Sequence, residues 1–366
     1  MRELAVVIAG GGTGGHLYPG IAVAREIRRR VPAATVTFAG TARGLEARVV
    51  PREGFALDVI HSAGLKGKSL VSRVRGAALL PQSVADAWRL LSRRRPDAVM
   101  GVGGYSSGPV VLIAALRGIP TMVLEQNAVP GLTNRWLAPW IRAAAVTYDE
   151  SRRFFGGKAI VTGNPVRPEF FVTASPAASG SREAGAGGRV LILGGSQGAH
   201  VINVAAGEAA PALARRPGGI GLVHQTGERD LARVQAAYAA AGLDVRTAPF
   251  IDGVAAEMQA ADLVVCRAGA TTLAELAASG RPAILVPFAA ATDDHQRRNA
   301  AVLADAGAAL VIDERELSGD RLASAISTLL DDPARRQRMG AAMRTFARPD
   351  AAARIVDRVL ELARWA

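Results

Sequence analysis

Short apolar runs alternate with longer amphipathic segments along the chain. In the first half, residues 6–8, 35–38, 98–102 and 121–124 read as strands; in the second, residues 190–193, 221–224, 245–250, 263–266, 283–286 and 309–312 do. Most are rich in β-branched residues and are bounded by Gly or Pro. They are apolar throughout rather than alternating, and the segments between them are long enough for helices. Strands of this kind build parallel sheets covered by helices on both faces. The pattern therefore predicts an α/β protein.

One stretch interrupts the pattern. From Thr173 to Gly188 the chain reads TASPAASGSREAGAGG, which is small, rich in Pro, Gly and Ser, and suited to a surface loop or linker. Just upstream, TGNPVR (Thr162 to Arg167) closes one α/β run, and a second strand-then-glycine-loop unit opens at Arg189. A chain of 366 residues, at roughly 150 per domain, fits two doubly wound domains, here 1–165 and 166–348. Open parallel sheets bind ligands at the carboxyl ends of their strands, so the expected site is a cleft between the two.

Charge sharpens this picture. Residues 1–165 hold 22 Lys and Arg against 10 Asp and Glu, whereas residues 166–366 hold 22 against 22. The net charge of +12 therefore belongs to the first half. Such asymmetry points to an anionic partner: a membrane surface, nucleic acid or phosphate. Hydrophobic residues make up 49% of the chain, enough for a large core. The longest apolar runs are about eight residues, far short of the ~20 a spanning helix needs. Met1 leads directly into the first strand-like run, so no signal peptide is expected, and the single cysteine, Cys266, excludes a disulfide scaffold and a cysteine zinc site. A cytosolic protein is expected.

Three glycine loops carry candidate chemistry. AGGGTGGH (Ala9 to His16) follows a strand and leads into a helix expected to start near Pro19. Its Gly10, Gly12 and Gly15 satisfy the dinucleotide fingerprint, but the next strand ends Phe38-Ala39-Gly40-Thr41 and the first acid is Glu46, so the ribose partner is missing. Arg43 keeps an NADP reading open. GVGGYSSGP follows residues 98–100, and GGSQG (Gly194 to Gly198) follows residues 190–193. Loops of this type present N–H groups at a helix start, where phosphate or sugar oxygens bind. A P-loop is excluded, because Ser62 stands where Gly67-Lys68-Ser69 would require a glycine.

Other candidates follow the same logic. In RAGATTLAE (Arg267 to Glu275), Ala270 to Thr272 would start a helix suited to a pyrophosphate; Glu275, one turn in, either accepts ribose hydroxyls or serves the helix dipole. Asp293-Asp294-His295-Gln296 reads as a capped helix start rather than a metal site, and no D-x-D occurs. Cys266 reads as a buried strand residue. His16, in a glycine loop, is either a general base or a binding residue. From Leu65 to Leu80, Lys66, Lys68, Arg73 and Arg75 are interleaved with aliphatics and no acid, which suits an anionic membrane surface or the solvated face of a core helix. Nucleic acid would call for interleaved aromatics, and these are only 5% of the chain.

In order, GGTGGH with Pro19-Gly20, GVGGYSSGP, Glu125-Gln126-Asn127, GNPVR (Gly163 to Arg167), GGSQGA, CRAGATTLAE and DDHQ resemble the bacterial MurG family. These are UDP-N-acetylglucosamine:undecaprenyl-pyrophosphoryl-MurNAc-pentapeptide N-acetylglucosaminyltransferases. The likeness runs from about residue 5 to 300. It implies the GT-B fold, with two Rossmann-like domains and a C-terminal helix, residues 349–366, returning to the first domain. It implies UDP-GlcNAc as donor, lipid I as acceptor and lipid II as product, made at the cytoplasmic face of the membrane; from the residues themselves no nucleic acid, metal or cofactor is expected. By motif, Thr13, Gly14 and Gly15 approach the donor and Asn127 contacts the sugar. Arg167 and Ser196 reach the diphosphate, and Ile251 lies against uracil. Ala270, Thr271, Thr272, Leu273, Ala274 and Glu275 hold phosphates and ribose, and Gln296 meets the GlcNAc hydroxyls. The linker looks longer and less apolar than the family pattern. A related GT-B enzyme with another acceptor, or a nucleotide-sugar epimerase, is the alternative.

Overall fold

A computed structural model describes residues 3–42, 44–62, 79–171, 187–195, 198–291 and 294–365. Two compact units divide the chain: Met1–Arg167 with Arg348–Ala366, and Pro168–Ala347. The linker from Thr173 falls outside the described residues up to 186, as do Arg43, Ser196, Asp293 and the basic segment from Leu65 as far as residue 78.

The first unit runs β1 (Ala5–Gly10), α1 (Gly14–Arg30), β2 (Thr35–Gly40), α2 (Glu46–Arg52), β3 (Ala56–Val59), α3 (Leu80–Arg94), β4 (Ala98–Gly103), α4 (Ser107–Leu116), β5 (Thr121–Glu125), α5 (Leu132–Leu137), β6 (Ala143–Val146) and β7 (Ala159–Val161). Its seven strands lie in the order β3-β2-β1-β4-β5-β6-β7, and every pairing is parallel. Alternate residues of each strand point to opposite faces. Val6 and Ile8 therefore join Leu17, Ile21 and Ile27 of α1 on one side. Val7 and Ala9 meet Leu91 of α3 and Val110 and Ala114 of α4 on the other. The late helix Ala351–Leu362 completes the first of these layers through Ile355, Val356 and Val359.

The second unit runs β8 (Arg189–Leu193), α6 (His200–Ala214), β9 (Gly221–Gln225), α7 (Leu231–Ala240), β10 (Val245–Ala248), α8 (Val254–Ala260), β11 (Leu263–Cys266), α9 (Ala270–Ser279), β12 (Ala283–Leu285), α10 (His295–Asp305), β13 (Ala309–Val311), α11 (Gly319–Asp331) and α12 (Pro333–Arg344), with α13 being Ala351–Leu362 of the first unit. Its sheet order is β10-β9-β8-β11-β12-β13, again parallel throughout. Val190 and Ile192 pack with Ile202 and Ala206 of α6 and with Leu322 and Ile326 of α11.

The two units share one device. Asp97, just before β4, accepts the Ala5 N–H at 2.9 Å; Asp262, just before β11, accepts the Arg189 N–H at 2.8 Å. Each carboxylate registers the first strand of its sheet against the neighbour across which the chain reverses direction of winding. That reversal places the loops after β1 and β4 together, and likewise those after β8 and β11. Such switch points are where open α/β sheets bind ligands.

Two expectations need correction. The first helix starts at Gly14, not near Pro19, and carries Pro19 inside it. The glycines look like helix breakers, but packing overrides propensity here: Pro19, Gly20 and Ile21 are buried under the sheet. Three strands also escaped the apolar-run pattern. Two of them, β3 and β7, lie at the sheet edges, and β6 reads AAAV, a composition equally suited to a helix.

Candidate functional site

In the first unit the candidate residues gather at the carboxyl end of the sheet. Thr13 is the extended residue before α1, and its carbonyl accepts the N–H groups of His16 and Leu17 at 3.2 and 3.1 Å. Gly12, Thr13 and Gly15 are exposed at this helix start. The neighbouring loop after β4 comes so close that a Cβ on Gly104 would lie 2.6 Å from the Gly11 carbonyl oxygen, which only glycine permits.

His16 stands where these loops meet. Its Nδ1 lies 3.3 Å from Oε1 of Gln126, the residue after β5. A Cβ on Gly103 would sit 2.6 Å from the same Nδ1, so the imidazole rests directly on the Gly103 backbone. Asn127 follows Gln126. Its main-chain and side-chain N–H groups both donate to Glu125 Oε1, at 3.0 and 3.2 Å, and Ser151 Oγ donates to its carbonyl. Arg167 sits over the Tyr18 ring of α1, 4.3 Å from its centroid, which brings a guanidinium beside the first loop's helix.

Glu46 was read in the sequence only as an acid in the wrong place for a ribose. It is completely buried at the start of α2, and it accepts the Gly12 N–H at 2.7 Å and the Thr41 N–H and Oγ at 2.8 Å each. The carboxylate thus braces the glycine loop itself. Glu125 is its counterpart after β5: almost fully buried, it also receives Gly131 N–H at 3.0 Å and Asn134 Nδ2 at 2.8 Å. Both were missed as functional because their role lies in loops brought together from distant segments. The available signal was an acid close to a glycine, Gly44 for Glu46 and Gly131 for Glu125.

In the second unit, α9 starts at Ala270, as the sequence indicated, with Gly269 before it. Leu273 donates its N–H to the Gly269 carbonyl at 3.0 Å and buries its side chain, so residues 270–272 provide the helix-start donors and Leu273 is scaffold. Ala270 and Thr271 are nearly buried, and Thr272 and Ala274 are half-buried. Glu275 is 8% exposed and lies close to Cys266, whose thiol is pushed up to about 12 by burial and then by the Glu275 charge. Ile251 is buried in the loop after β10. Gln296 uses its Oε1 to accept the Phe288 N–H at 3.0 Å. Arg267 extends over that Phe288 ring at 5.3 Å. Asp294 precedes α10 without a side-chain capping bond, contrary to the capped start read from the sequence; its φ is +54° and its carboxylate faces Arg297 at 3.9 Å instead. Ser196 lies outside the described residues.

The geometry is thus one of glycine loops and helix starts at the switch point of each unit. Residues 6–146 match the glycosyltransferase family 28 N-terminal domain and residues 189–355 its C-terminal domain. Two relatives are named UDP-N-acetylglucosamine–N-acetylmuramyl-(pentapeptide) pyrophosphoryl-undecaprenol N-acetylglucosamine transferase. That of Pelobacter propionicus is 47% identical over 98% of this chain and 99% of its own. That of Anaeromyxobacter dehalogenans is 49% identical over 99% and 94%. This chain belongs to the MurG family, within glycosyltransferase family 28. It is a hexosyltransferase, with two Rossmann-like domains of the GT-B class. The crystal structure of Acinetobacter baumannii MurG matches with a TM-score of 0.75 and 30% identity, covering 98% of this chain and 99% of that one. A Neisseria meningitidis UDP-GlcNAc 2-epimerase shares the fold at a TM-score of 0.68 and 14% identity, covering 98% and 100%.

Proposed function

We propose that this protein transfers GlcNAc from UDP-GlcNAc to the C4 hydroxyl of MurNAc in lipid I, with inversion, giving lipid II. The observation that carries the reading is near-full-length identity, at 47–49%, to transferases named for this donor and acceptor. The second unit supplies the donor contacts: helix-start N–H groups of residues 270–272 for phosphate, Glu275 for the ribose hydroxyls, Ile251 for uracil and Gln296 for the sugar. From the first unit, Thr13, Gly14 and Gly15 approach the donor and Asn127 meets its sugar.

His16 takes the proton as the acceptor oxygen attacks C1. The C1–O bond to UDP breaks with its electron pair, and the new charge on UDP is met by helix-start N–H groups and Arg167, without a metal. Removing a general base typically costs 10²–10⁴-fold in rate. His16→Ala should therefore lower kcat at least about a hundredfold; a loss below about tenfold would refute the base role.

The acceptor is a lipid, so the protein works at the cytoplasmic face of the membrane as a peripheral enzyme. Among the described residues no helix is long and apolar enough to cross a bilayer. The surface that supports attachment is the outer face of α3. Leu80, Val84 and Trp88 are exposed on successive turns, with Leu116 of α4 beside them and Arg117 stacked on Trp88 at 4.7 Å. Arg89 and Arg93 share that helix. Aliphatic and aromatic side chains among arginines suit an anionic interface. The basic segment ending at Leu80 leads into this face, though 65–78 lie outside the described residues.

The deciding experiment incubates the protein with labelled UDP-GlcNAc and a short-chain lipid I analogue in EDTA. Label in a disaccharide-lipid is expected. Conversion of UDP-GlcNAc without lipid would favour the epimerase, and no turnover with either would reject the proposal. For the membrane face, Trp88→Ala with Leu116→Ser should weaken binding to phosphatidylglycerol vesicles severalfold; unchanged binding would remove that surface.

A further inference from the structure

We infer that Gln126 is a positioning residue that fixes which nitrogen of His16 carries the proton. It holds the imidazole as the Nδ1–H tautomer, so that Nε2 is the nitrogen presented as base. The inference deepens the proposed base role of His16 and rests on it for its catalytic consequence.

Gln126 is 2% exposed, and its side-chain Nε2 donates to the Val102 carbonyl at 2.9 Å. A carbonyl can only accept, so the amide must turn its NH2 toward Val102. The flipped amide would set two acceptor oxygens against each other in a buried place. The orientation is therefore fixed by β4, and Oε1 is what faces His16 Nδ1 at 3.3 Å. An amide oxygen has no proton to give. The hydrogen in that contact must belong to Nδ1, and in the neutral ring Nε2 then holds the lone pair.

A second contact holds the ring in this plane. Gly103 has φ +96°, and a Cβ there would lie 2.6 Å from Nδ1 and 2.8 Å from Cε1 of His16. The Nδ1 edge is packed against the Gly103 backbone beside Gln126, and a flipped ring would set Cδ2–H against Gln126 Oε1 and forfeit the hydrogen bond. An orienting group that fixes the tautomer of a base is a general device. Here the orienting group is neutral, so it sets the proton's position without adding a charge that would hold the ring protonated.

The test is nitrogen NMR of the full-length protein with labelled histidine at pH 8, His16 being assigned from the His16→Gln spectrum. The expected result is a protonated Nδ1 and an unprotonated Nε2. An Nε2–H ring, or averaged shifts for the two nitrogens, would overturn the inference without recourse to any variant. Gln126→Met removes the acceptor and should give averaged shifts, with kcat down about a hundredfold and the donor KM nearly unchanged. The two readings separate cleanly. If His16→Ala keeps kcat while the spectrum gives Nδ1–H, the base role fails and the positioning stands. If the spectrum gives Nε2–H, the positioning fails whatever His16→Ala does.

Discussion

The Glu46 carboxylate, fully buried, accepts the Gly12 backbone N–H at 2.7 Å. An acid after the second strand would hold a ribose in a dinucleotide enzyme. Here it is turned inward onto the glycine loop, with Thr41 on its other oxygen. The first loop is thereby held rigid from beneath.

Glu46→Ala should accordingly weaken both structure and turnover. It leaves the Gly12 and Thr41 donors without their acceptor, at a cost of about 1–3 kcal/mol for a buried donor. A lower Tm is expected, together with a kcat/KM reduced by at least about tenfold. Thermal melts and steady-state kinetics check this; a variant matching wild type in both would show that the brace does nothing.

Glu125 gathers Asn127, Gly131 and Asn134 around one carboxylate. Glu125→Gln turns one accepting oxygen into a donor facing donors. With Asn127 proposed to meet the sugar, UDP-GlcNAc should bind about tenfold more weakly, a loss near 1.4 kcal/mol, while UDP alone binds as before. Calorimetry with both ligands decides it. An equal loss for UDP would detach Asn127 from the sugar.

Truncating Glu275 should mainly raise the donor KM, with a loss of about 1–3 kcal/mol. Glu275→Ala kinetics at saturating acceptor provide the check. An unchanged donor KM would remove the ribose role.

His224 is fully buried between Tyr238 and Asn203, at 2.8 and 3.0 Å, and burial lowers its pKa from 6.5 to about 3. The folded ring stays neutral while the unfolded one binds a proton, so stability is fully present above pH 6.5 and is lost as pH falls toward about 3. At about 1.4 kcal/mol per pH unit the whole loss is of order 4–5 kcal/mol. Urea midpoints of the second unit at pH 7.5, 5.5 and 4.5 should fall more steeply in wild type than in His224→Gln. Parallel acid limbs would contradict this.

Much of the fold was legible in the sequence. Continuous apolar strands and intervening helices follow from a sheet buried on both sides, and the glycine loops mark where backbones approach. Motif order named the family, because each motif constrains the next only when all are present. His16 and Glu275 could be singled out, since their residue types and loop positions already suggest chemistry.

What tertiary structure decided concerns partners distant in sequence. That Gln126 meets His16, that Glu46 braces Gly12, and that Arg167 stacks on Tyr18 follow from segments 34 to 149 residues apart meeting at the carboxyl end of one sheet. Local propensity carries no record of such meetings; it even placed the first helix start five residues late, because buried packing of Pro19 and Gly20 outweighs their intrinsic cost in a helix. The sequence by itself specified which elements form and which chemistry they bear. Packing specified how each side chain is aimed, since a hydrogen bond needs both partners in place before it has a direction.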